Sequence, residues 1–281
     1  MVAIFTPEII AFLLIAGALV GFVSAFFGVG GCFIMVPVMI FCFNELMGVP
    51  LDIAVKIAFG TNMAVVVPTA FSGAWKHSKK ISFPKQHYLY YAIPVGIGSV
   101  IGSVGAYFAP GYLLKILFGI ACIIGAYRFM TARPKQVAEL KELNKEKYVA
   151  GGLGSGGVAH FMGIGGGLVY MPVLNTLLEI PIHTAVLISI STMVIGSSVG
   201  AVSFGILGSL QQTAAYPPYS FGWFNLIAFL TLASTSVITA QLGASMTHRI
   251  QPKQLKILLA ILYIYVGLRL IGVFAWLGIP I

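Results

Sequence analysis

The chain has 281 residues, of which 59% are hydrophobic and 8% charged, with a mean hydropathy of +0.99 and a formal net charge of +9. Soluble domains carry about 25% charged residues, so an ordinary water-facing surface is excluded and lipid is the expected solvent. The basic excess does not point to nucleic acid. Ten of the sixteen Lys and Arg residues fall in two short stretches, Lys76, Lys79, Lys80 and Lys85, then Arg128, Arg133, Lys135, Lys141, Lys145 and Lys147.

The first apolar run, Ile9 to Asn44, contains no Asp, Glu, Lys or Arg. It lacks a basic N-terminal flank and is too long for the core of a cleavable signal, so the N-terminus is expected to belong to the mature protein. Further charge-free runs follow at Ile57–Trp75, Tyr88–Leu114, Tyr148–Leu178 and Ile180–His248. A helix needs roughly 20 apolar residues to cross the hydrocarbon core. Each run holds at least one crossing, and the last holds two. Clustered Lys and Arg between such runs mark the cytoplasmic side. Cys32, Cys42 and Cys122 all lie in apolar stretches without metal-ligand spacing and read as small buried hydrophobes. No cofactor or metal is implied.

The chain repeats itself. Gly21–Val38 and Gly156–Val173 share the pattern G-x-V-x-x-F-x-G-x-G-G-x-x-x-x-x-P-V. Val49–Val55 then resembles Ile180–Val186, Thr61 falls against Thr192, Leu114–Leu117 matches Leu255–Leu258, and Arg128 meets Arg269. The expected organisation is repeat one over 1–131, a cytoplasmic linker over 132–147 forming a short helix, and repeat two over 148–281. Each repeat reads as a glycine-broken first segment (8–43 and 148–178) plus three transmembrane helices. These are 51–75, 87–109 and 112–131 in repeat one, and 182–207, 221–246 and 253–278 in repeat two.

Four crossings per half make the repeats parallel and put Arg249, Lys253 and Lys256 outside the cell. If each first segment is a re-entrant hairpin, three crossings remain per half and the repeats are inverted. Loops 76–87, 132–147 and 247–256 then all face the cytoplasm, which agrees better with the charges. The fold class is therefore an all-α polytopic membrane protein with two pseudo-symmetric, inverted repeats. Spanning, kinked first segments remain the alternative.

The glycine breaks, Gly28-Val29-Gly30-Gly31 and Gly163-Ile164-Gly165-Gly166-Gly167, are the strongest motif. Irregular backbone at membrane depth survives where it is buried or lines a cavity. The helical stretches that follow, from Cys32 and from Leu168, begin with free N–H groups that suit an anion. Close helix packing is the plainer explanation of one such cluster; two at matched positions favour a binding site. Thr61 and Asn62, with Ser191 and Thr192, lie about ten residues into the next helix, near mid-membrane by the helical rise. Their side chains are expected to bond substrate oxygens, with helix self-bonding the alternative. His160 precedes the second break and is the candidate for proton coupling, against a neutral histidine bonded to backbone. Lys56 is expected to snorkel or to line an outer vestibule. Gln241 reads as a buried amide, and Trp75, Trp223 and Trp276 as interface aromatics. The chain has no GxxxxGK[ST], HExxH or GxSxG motif and no carboxylate pair at depth. Intrinsic ATP hydrolysis, intramembrane catalysis and cation carriage are thereby disfavoured.

The repeated G-x-G-G-x-x-x-x-x-P motif and the stretch Ala58–Met63 resemble the sulfite exporter TauE/SafE family over essentially the whole chain. That resemblance implies a two-repeat inner-membrane permease for sulfite or small organosulfur anions, with proton coupling suspected. It carries Gly28, Gly30, Gly31 and Pro37, their partners Gly163, Gly165, Gly166 and Pro172, and Thr61. Asn62 departs from the family's usual serine, and Ser191-Thr192 replaces a Gly-Thr pair. The expected activity is secondary transport of a small anion, with a passive anion channel, a carboxylate carrier and a partner-dependent permease subunit as rivals. The expected partners are that anion and the lipid bilayer, without nucleic acid; a homo-oligomer is left open.

Overall fold

The computed structural model describes residues 5–27, 31–78, 83–131, 137, 139–140, 142–211, 215–246 and 252–276. The chain runs α1 (Pro7–Phe27), α2 (Cys32–Ile40), α3 (Leu51–Ser78), α4 (Lys85–Phe108) and α5 (Gly111–Thr131). It continues as α6 (Lys145–Phe161), α7 (Gly167–Pro172), α8 (Ile182–Leu210), α9 (Leu226–Met246), α10 (Pro252–Ile271) and α11 (Val273–Trp276). Among the described residues, six helices are long and apolar enough to cross a bilayer: Pro7–Ser24, Leu51–Lys76, Lys85–Phe108, Gly111–Arg128, Ile182–Leu210 and Leu226–Gly243. The protein is an all-α, multi-pass membrane protein.

Each first segment turns back at its glycine break. In the first, Val20 lies against Gly31, Phe12 against Phe41 at 6.1 Å and Phe5 against Phe43 at 6.5 Å, so α2 returns antiparallel along α1. In the second, Gly151 of α6 faces Val173 and Leu178 beyond α7. Both return arms widen into π-helical turns, Phe41–Leu46 and Val173–Leu177, a few residues after Pro37 and at Pro172. Proline removes a backbone N–H and crowds the preceding turn, which favours such a widening. At the end of each arm an asparagine amide, Asn44 or Asn175, donates to the carbonyl five residues on, Val49 or Ile180, at 2.9 Å.

The packing partners exchange in pairs. Helix α1 lies on α9 and α6 on α4; α3 contacts α9 and α8 contacts α4. Helix α3 crosses α8 antiparallel, with Gly73 near Ile190 and Gly60 near Phe204, and α5 crosses α10 antiparallel through Gly119 and Gly267. The α4–α6 and α1–α9 seams are built from glycine. A Cβ on Gly98 would stand 2.3 Å from the Leu153 carbonyl oxygen, and one on Gly21 would stand 2.1 Å from that of Ser236. Such backbone approach is how helices bind one another where lipid removes the hydrophobic drive.

Several sequence expectations need correction. The segment expected to open α9 at 221 instead forms a small hairpin, β1 (Ser220–Phe221) paired with β2 (Phe224–Asn225), and α9 starts at Leu226. Its Trp223 is 1% exposed, pinned between Phe204 and Tyr107 at 5.7 Å, and is not an interface aromatic. Trp75 and Trp276 are exposed, whereas Gln241, expected to be buried, faces outward. The last helix breaks at Gly272, whose φ is +92°. In the linker, the described residues before Lys145 are not helical; the remainder lies outside the described residues.

Candidate functional site

The second break is the better described of the two. His160 lies in the last turn of α6, Gly163 and Gly165 take left-handed φ values of +66° and +67°, and Gly166, at φ +104°, precedes α7. Only glycine adopts such a run without strain. Two side chains from other helices hold the turn. Asn62 Nδ2, from the middle of α3, donates to the Gly163 carbonyl at 2.8 Å, and Ser197 Oγ, from α8, donates to the Gly165 carbonyl at 3.2 Å. The Phe59 ring fills the space a Gly163 side chain would need. The Gly166 carbonyl accepts from Val169 and Tyr170, and no side chain caps the N-terminus of α7 at Gly167.

His160 is fully buried. Its Nδ1 lies 2.9 Å from the Gly156 carbonyl and 3.0 Å from Ser99 Oγ. Because Ser99 donates to the Val95 carbonyl at 2.7 Å, both neighbours of Nδ1 are acceptors. This assigns the proton to Nδ1 and leaves Nε2 as a bare lone pair. Among the described residues, that Nε2 has no partner, and neither do Asn62 Oδ1, Tyr170 Oη, Ser189 Oγ or Thr192 Oγ1, all buried. Tyr170 Oη would touch a side chain on Gly196, and the His160 ring lies over Gly196 and Gly200, beside Met63. Ser189, Thr192 and Gly196 share one face of α8 at helical spacing. Three hydroxyls and two acceptors without partners thus belong to helices packed about one glycine break. Buried polar groups in proteins are rarely left so.

The other expected site residues fall elsewhere. Thr61 Oγ1 accepts from the Asn225 backbone at 3.0 Å, and Gly60 takes the Trp223 carbonyl beside it. Thr61 therefore braces the β hairpin and does not face the second break. Ser191 is buried, and its carbonyl accepts from Tyr88 Oη at 3.3 Å. Gly28 and Gly30 lie outside the described residues. Gly31 packs on Val20, and Cys32 is fully buried at the start of α2. The next residue, Phe33, stacks on Tyr263 at 4.8 Å and Phe118 at 5.7 Å, and Phe118 meets Phe59 at 5.8 Å. The start of α2 is thus joined to the Gly163 turn through three rings, with aromatic carbon between them.

Lys56 neither snorkels nor lines a vestibule. It is 3% exposed, pairs with Asp52 at 3.2 Å, donates to the Tyr107 carbonyl at 3.2 Å and sits 5.0 Å over the Trp223 ring. Asp52 also accepts from the Gly111 backbone, tying the start of α3 to the start of α5. Sequence reasoning missed Tyr170, Ser197 and Ser99. The spacing of Gly196, Ser197 and Gly200 inside α8 is the signal that marks a face of close approach there.

A sequence profile described as sulfite exporter TauE/SafE matches residues 13–270. A probable membrane transporter protein of Methanocaldococcus jannaschii is 29% identical over 261 residues, covering 91% of this chain and 93% of that one. One from Haemophilus influenzae is 27% identical over 275 residues, covering 92% and 96%, and the probable membrane transporter protein YunE of Bacillus subtilis is 25% identical over 283 residues, covering 94% and 98%. No solved structure matches the chain. With a matching profile over most of its length and relatives described as probable membrane transporters, the chain belongs to the sulfite exporter TauE/SafE family.

Proposed function

We propose that the protein is a secondary transporter of a small oxyanion, sulfur-containing by the family's description, in the cytoplasmic (inner) membrane. The observation that carries this reading is the set of unpartnered polar atoms around the second glycine break. Tyr170, on α7, and Ser189 and Thr192, on α8, offer hydroxyl donors, and the Tyr170 ring lies against Gly166 at the uncapped N-terminus of α7. An anion that took those donors would replace lost hydration without a buried cation to trap it. Half-helix ends facing an anionic substrate at the midplane are a recurrent plan in secondary transporters. Asn62 and His160 supply acceptors, and the bare Nε2 of His160 is the place for a coupling proton.

The two repeats are inverted in this reading, with 1–131 and 148–281 joined by the 132–147 linker. The antiparallel crossings of α3 with α8 and of α5 with α10 support it, since these are the helices that the sequence repeat makes equivalent. So do the hairpins, which return each first segment to its starting side. The aromatic cluster Phe33–Phe118–Phe59 disfavours an open channel, because it links the start of α2 to the ring beside Gly163 with aromatic carbon.

Ligand stabilisation of detergent-purified protein tests the cargo. A ligand that binds the native state raises its unfolding midpoint. Sulfite, thiosulfate, sulfoacetate, taurine and matched carboxylates are compared at constant ionic strength. A selective rise with a sulfur oxyanion is expected. A response only to carboxylates, cations or neutral solutes overturns the proposal. Flux into proteoliposomes against a gradient, abolished by a protonophore, separates a carrier from a channel.

A further inference from the structure

A cleft of about 820 Å³ lies between the α1–α2 hairpin and the α5–α10 pair. It sits at the end of the bundle where Asp52 and Gly111 meet, opposite the basic residues Lys76, Lys85 and Arg128. Its walls are mostly apolar, including Phe12, Phe41, Leu262 and Val266. It opens between α1 and α10, where Phe12 is 43% and Tyr265 38% exposed.

Two cations converge on it. Lys115 lies one turn before Gly119 and Arg269 just after Gly267, the glycines through which α5 and α10 cross, so close helix approach forces both side chains into the same space. Arg269 lies 5.0 Å over the Phe41 ring. Among the described residues, Glu45 is the one carboxylate in the lining. None of the three forms an ion pair among the described residues, where the one pair is Lys56 with Asp52. The Asn44 amide is already committed to the Val49 carbonyl. Among the described residues, the cleft therefore holds one uncompensated positive charge between apolar walls, a costly arrangement unless an anion completes it.

We propose that this cleft is a binding site for an anionic phospholipid. Its phosphate sits between Lys115 and Arg269, and an acyl chain runs along the apolar wall of α1 and α10. The lateral opening at helix ends places the long Lys115 and Arg269 side chains within reach of headgroup depth, where a lipid phosphate lies. The site is separate from the polar groups about the glycine break, and the proposal does not depend on the cargo.

The test uses delipidated, detergent-purified full-length protein. Unfolding midpoints are measured with added phosphatidylglycerol, phosphatidylcholine of the same chains, and inorganic phosphate. Phosphatidylglycerol is expected to raise the midpoint by several degrees, with little effect from the other two. In K115Q/R269Q the selectivity should vanish, and in E45Q it should persist. Equal shifts with both lipids in the wild-type protein overturn the proposal without any variant. So does a shift with phosphate as large as with phosphatidylglycerol, which makes the cleft a site for free anions. Undiminished selectivity in K115Q/R269Q overturns it as well.

Discussion

The side-chain amide of Asn62 donates to the backbone carbonyl of Gly163 at 2.8 Å, across 101 residues of sequence. One helix of the first half thereby holds open the turn that ends α6 in the second. The bond is fully buried, so its loss leaves a carbonyl without a donor in a site that water cannot reach. Removing one partner of such a bond costs about 1–3 kcal/mol. Asn62→Leu is expected to lower stability by that amount and to abolish flux. Ser198→Ala, which removes a hydroxyl bonded only to its own helix at Val194, should leave both unchanged. Equal behaviour of the two variants in thermal unfolding and flux would show that the turn does not depend on Asn62.

Gly163 is constrained twice over. Its φ of +66° is left-handed, and a Cβ there would lie 2.2 Å from the Phe59 ring. The left-handed conformation costs a non-glycine residue roughly 1–2 kcal/mol, and the ring contact adds to it. Gly163→Ala is expected to destabilise by more than that backbone figure alone. Phe59→Ala removes the ring, so the double variant should recover the excess and leave the backbone part. A double-mutant cycle reads this as a coupling above about 0.5 kcal/mol; strict additivity would mean the ring yields freely.

These two positions also show how much of the site was legible in the sequence. The glycine pattern announced the second break, and the charge map placed the apolar helices. The partner of the break was half legible: Asn62 stood out as an amide at membrane depth, but its neighbour Thr61 was a candidate beside it. One helical residue rotates a side chain by about 100°, so Thr61 faces the Trp223 hairpin while Asn62 faces the turn. All these segments are too apolar for periodicity to separate one face from another. The aromatic cluster was invisible for the same reason, since phenylalanine is ordinary in such helices whether it faces lipid or core. The hairpin at Ser220–Asn225 was missed because its residues are as apolar as the helix they precede.

Lys56 and Asp52 form an unequal pair. The lysine side chain is 4% exposed and the aspartate 50%. Removing the lysine leaves a carboxylate that water still solvates, so Lys56→Met should cost about 1 kcal/mol or less. Removing the aspartate charge strands a buried ammonium with one carbonyl and the Trp223 ring. Asp52→Asn should cost more, about 2 kcal/mol, below the ~3–5 kcal/mol of a fully buried pair because solvent screens the carboxylate. Denaturation midpoints of the two variants decide the order. The reverse order would place the stabilising charge on the aspartate.

His160 offers the sharpest test of coupling. Its Nδ1 proton is shared between Gly156 and Ser99, and its Nε2 lone pair has no partner. Taking up a proton at Nε2 turns an acceptor into a second donor and adds a positive charge at the glycine break, which favours an anion there. His160→Gln keeps an amide donor and roughly the side-chain length, but removes the group that titrates. In proteoliposomes this variant is expected to pass anion down its own gradient while losing acceleration by an imposed pH gradient. Ser99→Ala removes one of two acceptors of the Nδ1 proton and leaves Nε2 bare, so it should shift the pH profile without abolishing coupling. If His160→Gln still accumulates anion in response to a pH gradient, the coupling proton travels by another route and His160 is a buried structural imidazole.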